Sequence, residues 1–196
     1  INEIMYHPES GLAEEEFIEL HNIGAVPVNL SGWTLSGAVD FTFPPGTYLD
    51  SGGYLVVAPS VAVIVQIYNI DNVVGNFSEE LPNEGGTVTL SNRDGLVIQE
   101  VTYSPDPPWP MEADGFGSSL ELITPQESNS DPDNWAASSP PENWGTPGRR
   151  NSRYMAPVAT PAPDGWGNTD VGGVIAPGRA WEDNGVYTVI PPCLYS

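Results

Sequence analysis

The amino-acid sequence predicts an all-β protein built as an antiparallel β-sandwich with an appendage. Short segments of alternating apolar and polar residues recur along the chain, at the spacing of roughly 8–12 residues that is typical of sandwiches. Glycine and proline are both frequent, with 21 of each in 196 residues, which favours many turns over helices. A hydrophobic content of 39% is sufficient to build a core.

The first strands follow from side-chain alternation and from the turns that separate them. Residues 1–7 alternate as a strand with both faces partly covered, and Pro8-Glu9-Ser10-Gly11 ends it as a turn. The next strand, at 17–21, places Phe17, Glu19 and His21 on one face and apolar residues on the other. Further short strands are predicted at 28–30, 33–35, 41–43 and 54–58.

The middle of the chain predicts one ambiguous segment and one hairpin. Val61–Tyr68 is either a short helix or an irregular apolar segment, because its β-branched residues weaken a helix. The segments 87–91 and 96–103 flank Asn92-Arg93-Asp94-Gly95, a strong hairpin signal. A last core strand is predicted at 118–123. In the turn-rich stretch after it, we expect two Asn-Trp pairs, Asn134-Trp135 and Asn143-Trp144, to hold the loop against the core.

We divide the chain into a β-sandwich at 1–151, a Pro/Gly-rich linker at 152–168, and a C-terminal part at 169–196. The last part is either a hairpin arm or the truncated start of a second β module, with Asn184-Gly185 between its two alternating segments. One hairpin is marginal in water, so this arm must pack on the sandwich, on another subunit, or on a missing continuation.

The charge balance is strongly acidic, with five Lys+Arg against 26 Asp+Glu and a formal net charge of −21. All five cations are arginines, and the chain has no lysine. Such a charge repels phosphate backbones and anionic membranes, so we expect no nucleic-acid partner. No apolar run reaches the roughly 20 residues of a membrane span, so we expect no membrane insertion. The run Glu14-Glu15-Glu16 is predicted to be a solvated strand edge.

The blocks Glu15–Asn22, Val28–Ser36, Phe41–Gly46 and Gly53–Ala58 resemble the lamin tail domain in its bacterial, secreted form. The resemblance continues in later blocks and covers roughly residues 1–151: Leu81–Leu90, Ala113–Glu121, Asn134-Trp135 and Gly145–Gly148. It implies an immunoglobulin-like sandwich and an accessory module of secreted or surface proteins, often beside nucleases, phosphatases or adhesive repeats. The family brings no catalytic residues. We therefore expect a secreted or cell-surface protein whose signal peptide has been removed.

Two loops carry candidate calcium ligands. One contributes Asp106, Glu112 and Asp114, and the other contributes Asp131 and Asp133. Calcium takes six to eight oxygens from flexible loops of this kind. The same residue types also make turns by bonding their own backbone. No other cofactor is indicated.

Three aromatic residues are candidates for an exposed platform that binds sugar or a protein partner: Tyr103, Trp109 and Phe116. The alternative is that these rings belong to the core or hold a loop in place. His7 and His21 are the only histidines, and the single cysteine, Cys193, lies in a tail rather than in a rigid site. No nucleophilic triad is recognisable from these residues.

Three functions remain open. The first is a non-enzymatic extracellular module for protein–protein attachment or self-assembly, in which the C-terminal arm adds a strand to a neighbour's sheet. The second is a carbohydrate-binding accessory module of a secreted hydrolase, with Trp109 in a shallow groove. The third is a calcium-dependent hydrolase.

Overall fold

The computed structural model describes residues 1–139, 144–157, 179–183 and 186–190. The chain divides into two compact units, Ile1–Met155 and Ala156–Ser196. Most of the predicted linker and Cys193 lie outside the described residues. The described residues form helix α1 (Val61–Tyr68) and fourteen strands: β1 (Glu3–Met5), β2 (Phe17–His21), β3 (Val28–Asn29), β4 (Thr34–Gly37), β5 (Phe41–Thr42), β6 (Tyr48–Leu49), β7 (Tyr54–Ala58), β8 (Val73–Gly75), β9 (Gly86–Ser91), β10 (Val97–Tyr103), β11 (Leu120–Leu122), β12 (Trp135–Ala137), β13 (Arg179–Asp183) and β14 (Val186–Ile190).

Two sheets build the sandwich. The larger has six strands in the order β12-β11-β1-β2-β7-β8, and the smaller has four in the order β10-β9-β4-β5. All neighbours in these sheets pair antiparallel except β7 and β8, which are parallel. Strands β3 and β6 form a separate two-stranded ladder. The all-β sandwich that the strand spacing predicts is therefore confirmed.

The core lies between the two sheets. Alternate residues of the larger sheet, among them Ile4 and Ile18, and of the smaller sheet, among them Leu35 and Val88, belong to one buried cluster. This is the arrangement that a period of two residues produces, because successive side chains point to opposite faces of a strand.

The outer face of the larger sheet is also covered. Met5, Phe17 and Val56 alternate with the inward residues and form a second buried cluster that includes Ile64 of α1. The helix therefore forms despite its β-branched residues, because tertiary packing of Ile64 stabilises it where intrinsic propensity does not. Of the two structures that the sequence allowed for Val61–Tyr68, the helix is confirmed.

The predicted hairpins are present. Strands β9 and β10 join through Asn92–Leu96, where the Asn92 side chain accepts hydrogen bonds from the amides of Asp94 and Leu96. Gly95 takes a φ of +80° in this turn, a backbone conformation that disfavours other residues. In the C-terminal unit, β13 pairs antiparallel with β14 from Arg179↔Ile190 to Asp183↔Val186. Among the described residues, no helix is long and apolar enough to cross a membrane.

Candidate functional site

The aromatic platform predicted from Tyr103, Trp109 and Phe116 is not present. Tyr103 is 1% exposed and packs with its ring centroid 4.8 Å from that of Tyr6. Trp109 is 8% exposed and lies against Trp135, with 5.9 Å between their ring centroids. Only Phe116 is on the surface, at 74% exposure. The prediction is wrong for Tyr103 and Trp109, because both rings are buried in the core. A buried Trp109 cannot offer the exposed surface that we predicted for glycan binding.

The five predicted calcium ligands are not brought together. Asp114 pairs with His7, at 2.7 Å between Oδ1 and Nδ1. Asp131 caps a short 3-10 turn by accepting a hydrogen bond from the Asp133 amide at 3.0 Å. Within the described ranges, which include Asp106 and Glu112, no three His, Cys, Asp or Glu side chains are placed to share a metal ion. The turn-forming alternative therefore accounts for Asp131, and calcium binding stays a prediction without an assembled site.

The other histidine, His21, is half-buried at the end of β2. Its ring stacks on Tyr54 with 4.2 Å between centroids. Burial lowers the pKa of His21. This is a packing role, as expected for a half-exposed strand histidine.

Three glutamates form a buried row across the outer face of the larger sheet. Glu3 of β1 is in register with Glu19 of β2 on one side and with Glu121 of β11 on the other. All three side chains are fully buried. We call this row the glutamate ladder.

The segment 144–155, which we call the strap, covers the glutamate ladder and gives one backbone amide to each member. The amide of Thr146 donates to Glu3 at 2.7 Å, and that of Gly148 donates to Glu19 at 2.5 Å. The amide of Arg153 donates to Glu121 at 2.9 Å. The Thr146 hydroxyl lies between two carboxylates, 3.1 Å from Glu3 Oε2 and 2.8 Å from Glu121 Oε1.

A buried amide fixes the far end of the strap. Asn151 donates from Nδ2 to the backbone oxygens of Asn2 and Leu122, both at 2.9 Å, and accepts from Asn2 Nδ2 at 2.7 Å. All the hydrogen-bonding atoms of this amide therefore face partners, which a buried polar side chain needs. The strap is thus held to the sheet by polar contacts at both ends.

Burial changes the protonation of the glutamate ladder. Burial raises the pKa of Glu3 to about 8, and the neighbouring Glu121 adds to the rise. Burial raises the pKa of Glu19 well above its usual range, with Glu3 as the next cause. Close carboxylates in a low-dielectric site share protons, since two adjacent negative charges cannot both be stabilised. Glu3 is therefore mostly protonated at neutral pH.

Glu16 corrects a further prediction. It ends the run Glu14-Glu15-Glu16, but it is buried and accepts a hydrogen bond from the Leu81 amide at 2.7 Å. Burial raises its pKa to about 7. The run is therefore a solvated edge only in its first part.

A groove of about 420 Å³ opens beside α1. Its apolar lining includes Met5, Pro8 and the α1 residues Ile67 and Tyr68. Trp144, the first residue of the strap, completes the lining and is 61% exposed. We call this cavity the Trp144 groove. The prediction that Trp144 holds its loop against the core is wrong, whereas the same prediction for the buried Trp135 is confirmed.

The rim of the Trp144 groove is acidic. Glu9, Ser10 and Glu15 line it, and the Ser10 hydroxyl donates to Glu15 at 2.7 Å. The Trp144 indole N–H points to Glu9 Oε2 at 3.5 Å. A Cβ atom at Gly117 would lie 3.4 Å from Glu9 Oε2 and 3.5 Å from the indole, so this glycine leaves the two side chains room to meet.

The free edge of the smaller sheet carries apolar side chains. Strand β10 is one of the two outer strands, and the consecutive residues Leu96, Val97 and Ile98 at its start are all exposed. Further along the strand, the backbone oxygen of Glu100 accepts a hydrogen bond from the Ser130 hydroxyl at 3.3 Å. The register shifts between Val97 and Gln99, which is a β-bulge. Bulges protect sheet edges by bending them. This one nevertheless leaves the apolar residues on the surface.

In the comparison with protein families, residues 1–105 match the Lamin Tail Domain. The matched segment contains β1 to β10, so it includes the apolar edge and the acidic rim of the Trp144 groove. The block Leu81–Leu90 also lies within the match, whereas the last three blocks that carry the sequence resemblance lie beyond it: Ala113–Glu121, Asn134-Trp135 and Gly145–Gly148. The comparison with curated proteins gives no match.

Proposed function

This chain belongs to the lamin tail domain family, and from that premise we propose that it is a protein-binding module that attaches or self-assembles proteins outside the cell. The family has an immunoglobulin-like fold and is generally non-catalytic. The extracellular location is supported by the resemblance to secreted members and by the lysine-free, acidic composition.

The exposed apolar edge of β10 carries the proposal. An edge strand offers unpaired backbone groups to a second strand. Exposed apolar side chains beside these groups stabilise the docked strand, because docking buries them. Natural edges are usually blocked by charge, and Leu96-Val97-Ile98 has none. The partner that we propose for this edge is a second copy of the chain.

The charge of the chain sets how self-association should respond to salt. Two copies of net charge −21 repel each other, and that repulsion is weakened when salt screens it. Apolar contact is not weakened by salt. Association through β10 should therefore become tighter as ionic strength rises.

Sedimentation velocity tests this at NaCl concentrations from about 0.05 to about 0.5 M, across which the screening length shortens about threefold. Val97→Asp should weaken the dimer at least about tenfold, because it replaces an apolar side chain that the proposed interface would bury with a charge. Val26→Asp is the matched control, since Val26 is 67% exposed and Val97 is 53% exposed. A chain that stays monomeric at every salt concentration, or an equal effect of the two variants, contradicts the proposal.

The C-terminal hairpin is the second proposed contact. Within the described residues, β13 and β14 pair only with each other. We propose that the hairpin adds a strand to a neighbouring copy. Truncation after Met155 should then weaken the oligomer in size-exclusion chromatography, and an unchanged oligomer would remove the arm from the proposal.

A further inference from the structure

We propose that the Trp144 groove binds a cationic side chain, lysine or arginine, of a partner polypeptide. This site is separate from the β10 edge and does not depend on it. Three features of the described residues carry the inference: an exposed indole, an acidic rim without a cation of its own, and an apolar floor.

The exposed indole is held in place. The Tyr68 hydroxyl donates to the Trp144 backbone oxygen, and the indole N–H points to Glu9. Thr146, two residues later, is bonded to the glutamate ladder by both its amide and its hydroxyl. A large aromatic ring that is fixed while 61% exposed offers its face to a ligand, which a freely moving surface ring does not.

The rim lacks a counter-charge within the described residues. None of the described residues that line the groove is a cation, and neither the His7–Asp114 contact nor the Arg93–Asp94 ion pair involves Glu9 or Glu15. The chain has no lysine, and Arg150 lies over the ring of Tyr154 instead. The two carboxylates therefore leave a negative potential at the mouth of the groove, inside the field of a chain of net charge −21.

The shape and chemistry of the groove suit a long cationic side chain. Lysine and arginine have an aliphatic stem and a charged end, so the stem can lie on Met5 and Ile67 while the charge meets the rim. A cation over the face of tryptophan is also attracted by the ring quadrupole, and tryptophan is the best of the aromatic residues for this contact. Neutral sugars also stack on exposed indoles and can donate hydroxyl hydrogen bonds to carboxylates, but without a net charge they lack the direct Coulombic attraction to Glu9 and Glu15 that a cation has.

The test uses a fluorescein-labelled pentalysine peptide, the full chain, and fluorescence anisotropy. Its negative control is the same peptide with every lysine acetylated, which removes the charge and keeps the stem. We expect the charged peptide to bind and the acetylated peptide to bind at least about fivefold more weakly. Binding should weaken as salt rises, the opposite of the trend expected for the β10 edge. Failure of one proposal is therefore distinguishable from failure of the other.

Variants locate the site. Trp144→Leu keeps an apolar side chain, although a smaller one, and should weaken binding about fivefold through loss of the ring face. Glu9→Gln and Glu15→Gln should each weaken it about threefold to tenfold, whereas Glu79→Gln removes the same charge outside the groove and should have less than about a twofold effect. The indole N–H resonance of Trp144, assigned by its loss in Trp144→Leu, should shift on titration.

Two results overturn the inference. If Glu79→Gln weakens binding as much as Glu15→Gln does, the peptide follows only the general negative field. If a neutral oligosaccharide shifts the Trp144 indole resonance and the charged peptide does not, the groove is a glycan site. Thermal unfolding of each variant shows that a lost signal is not a lost fold.

Discussion

Raising the pH should destabilise the sandwich, and Glu3→Gln should remove a large part of that loss. Glu3 is fully buried between Glu19 and Glu121, and its pKa rises from 4.5 to about 8 in the folded chain. A group whose folded pKa lies above its unfolded pKa binds more protons when folded. Its contribution to stability is therefore complete below about pH 4.5 and is lost as the pH rises through about 8.

The magnitude is large compared with the stability of a domain. A rise of the Glu3 pKa from 4.5 to about 8 corresponds to on the order of 5 kcal/mol between the two protonation states. Small domains are stable by about 5–15 kcal/mol in total. Glu19 and Glu16 have raised pKa values as well, so the loss has the same sign at three carboxyl groups.

Glutamine fits the Glu3 position without a charge. Its oxygen can accept from the Ser119 hydroxyl and the Thr146 amide, which lie 2.6 and 2.7 Å from Glu3 Oε1. Its NH₂ group can donate to the Thr146 hydroxyl, which then still donates to Glu121. We therefore expect the variant to lose no more than about 1 kcal/mol near pH 5 and to be more stable than the natural sequence near pH 9.

Urea unfolding, measured from about pH 5 to about pH 9, gives the slope of the unfolding free energy with pH. Each carboxyl group with a raised pKa contributes at most about 1.4 kcal/mol per pH unit to this slope. Glu3→Gln should flatten the slope and leave part of it, from Glu19 and Glu16. Glu79→Gln, which removes one surface charge, is the control and should change the slope little. If the unfolding free energy of the natural sequence does not fall between about pH 5 and about pH 9, the raised pKa values of the buried glutamates are refuted.

Two further predictions concern packing. Trp109→Ala should lower the free energy of unfolding by about 3–5 kcal/mol, because it empties a buried site beside Trp135. Phe116→Ala, at an exposed position, should change it by no more than about 0.5 kcal/mol. Chemical denaturation followed by circular dichroism compares the two variants, and equal effects would contradict the burial of Trp109. Asn151→Ala should lower the free energy of unfolding by about 2–3 kcal/mol, because it leaves buried polar groups of Asn2 and Leu122 unpaired. The same variant should be cleaved faster by a protease within the strap. An unchanged cleavage rate there would show that Asn151 does not hold the strap.

Local sequence was sufficient for the strands and the hairpins. The alternation at 17–21 placed Ile18 and Leu20 on the inner face, and both are buried there. Asn92–Gly95 specified its turn through the Asn92 side chain and the positive φ of Gly95, which are properties of four consecutive residues. Patterns within a few consecutive residues can be interpreted without knowing which distant segment covers a strand.

The glutamate ladder was beyond such reasoning because the strap residues that bind Glu3 and Glu19 lie more than a hundred positions away in the chain. Glu3 and Glu19 share their face with Met5 and Phe17, and that apolar neighbourhood was the available signal that the face is covered. The covering strap begins at Trp144 and supplies amides from Thr146, Gly148 and Arg153. A glutamate beside core positions in a strand can thus indicate a later segment that brings backbone donors.

Trp109 is buried and Trp144 is exposed, the reverse of what we predicted. The cause is again packing against segments that are distant in the sequence. Trp109 is not the exposed platform residue that we predicted, because the core between the sheets has space for its indole beside Trp135. Trp144 cannot turn inward, because the next residues are fixed on the glutamate ladder: a Cβ at Gly145 would lie 2.4 Å from Glu3 Oε1, so the strap backbone is already in contact with that carboxylate. The sheet therefore presents the Trp144 indole to solvent, and the site that we propose for a cation follows from the carboxylates buried beneath it.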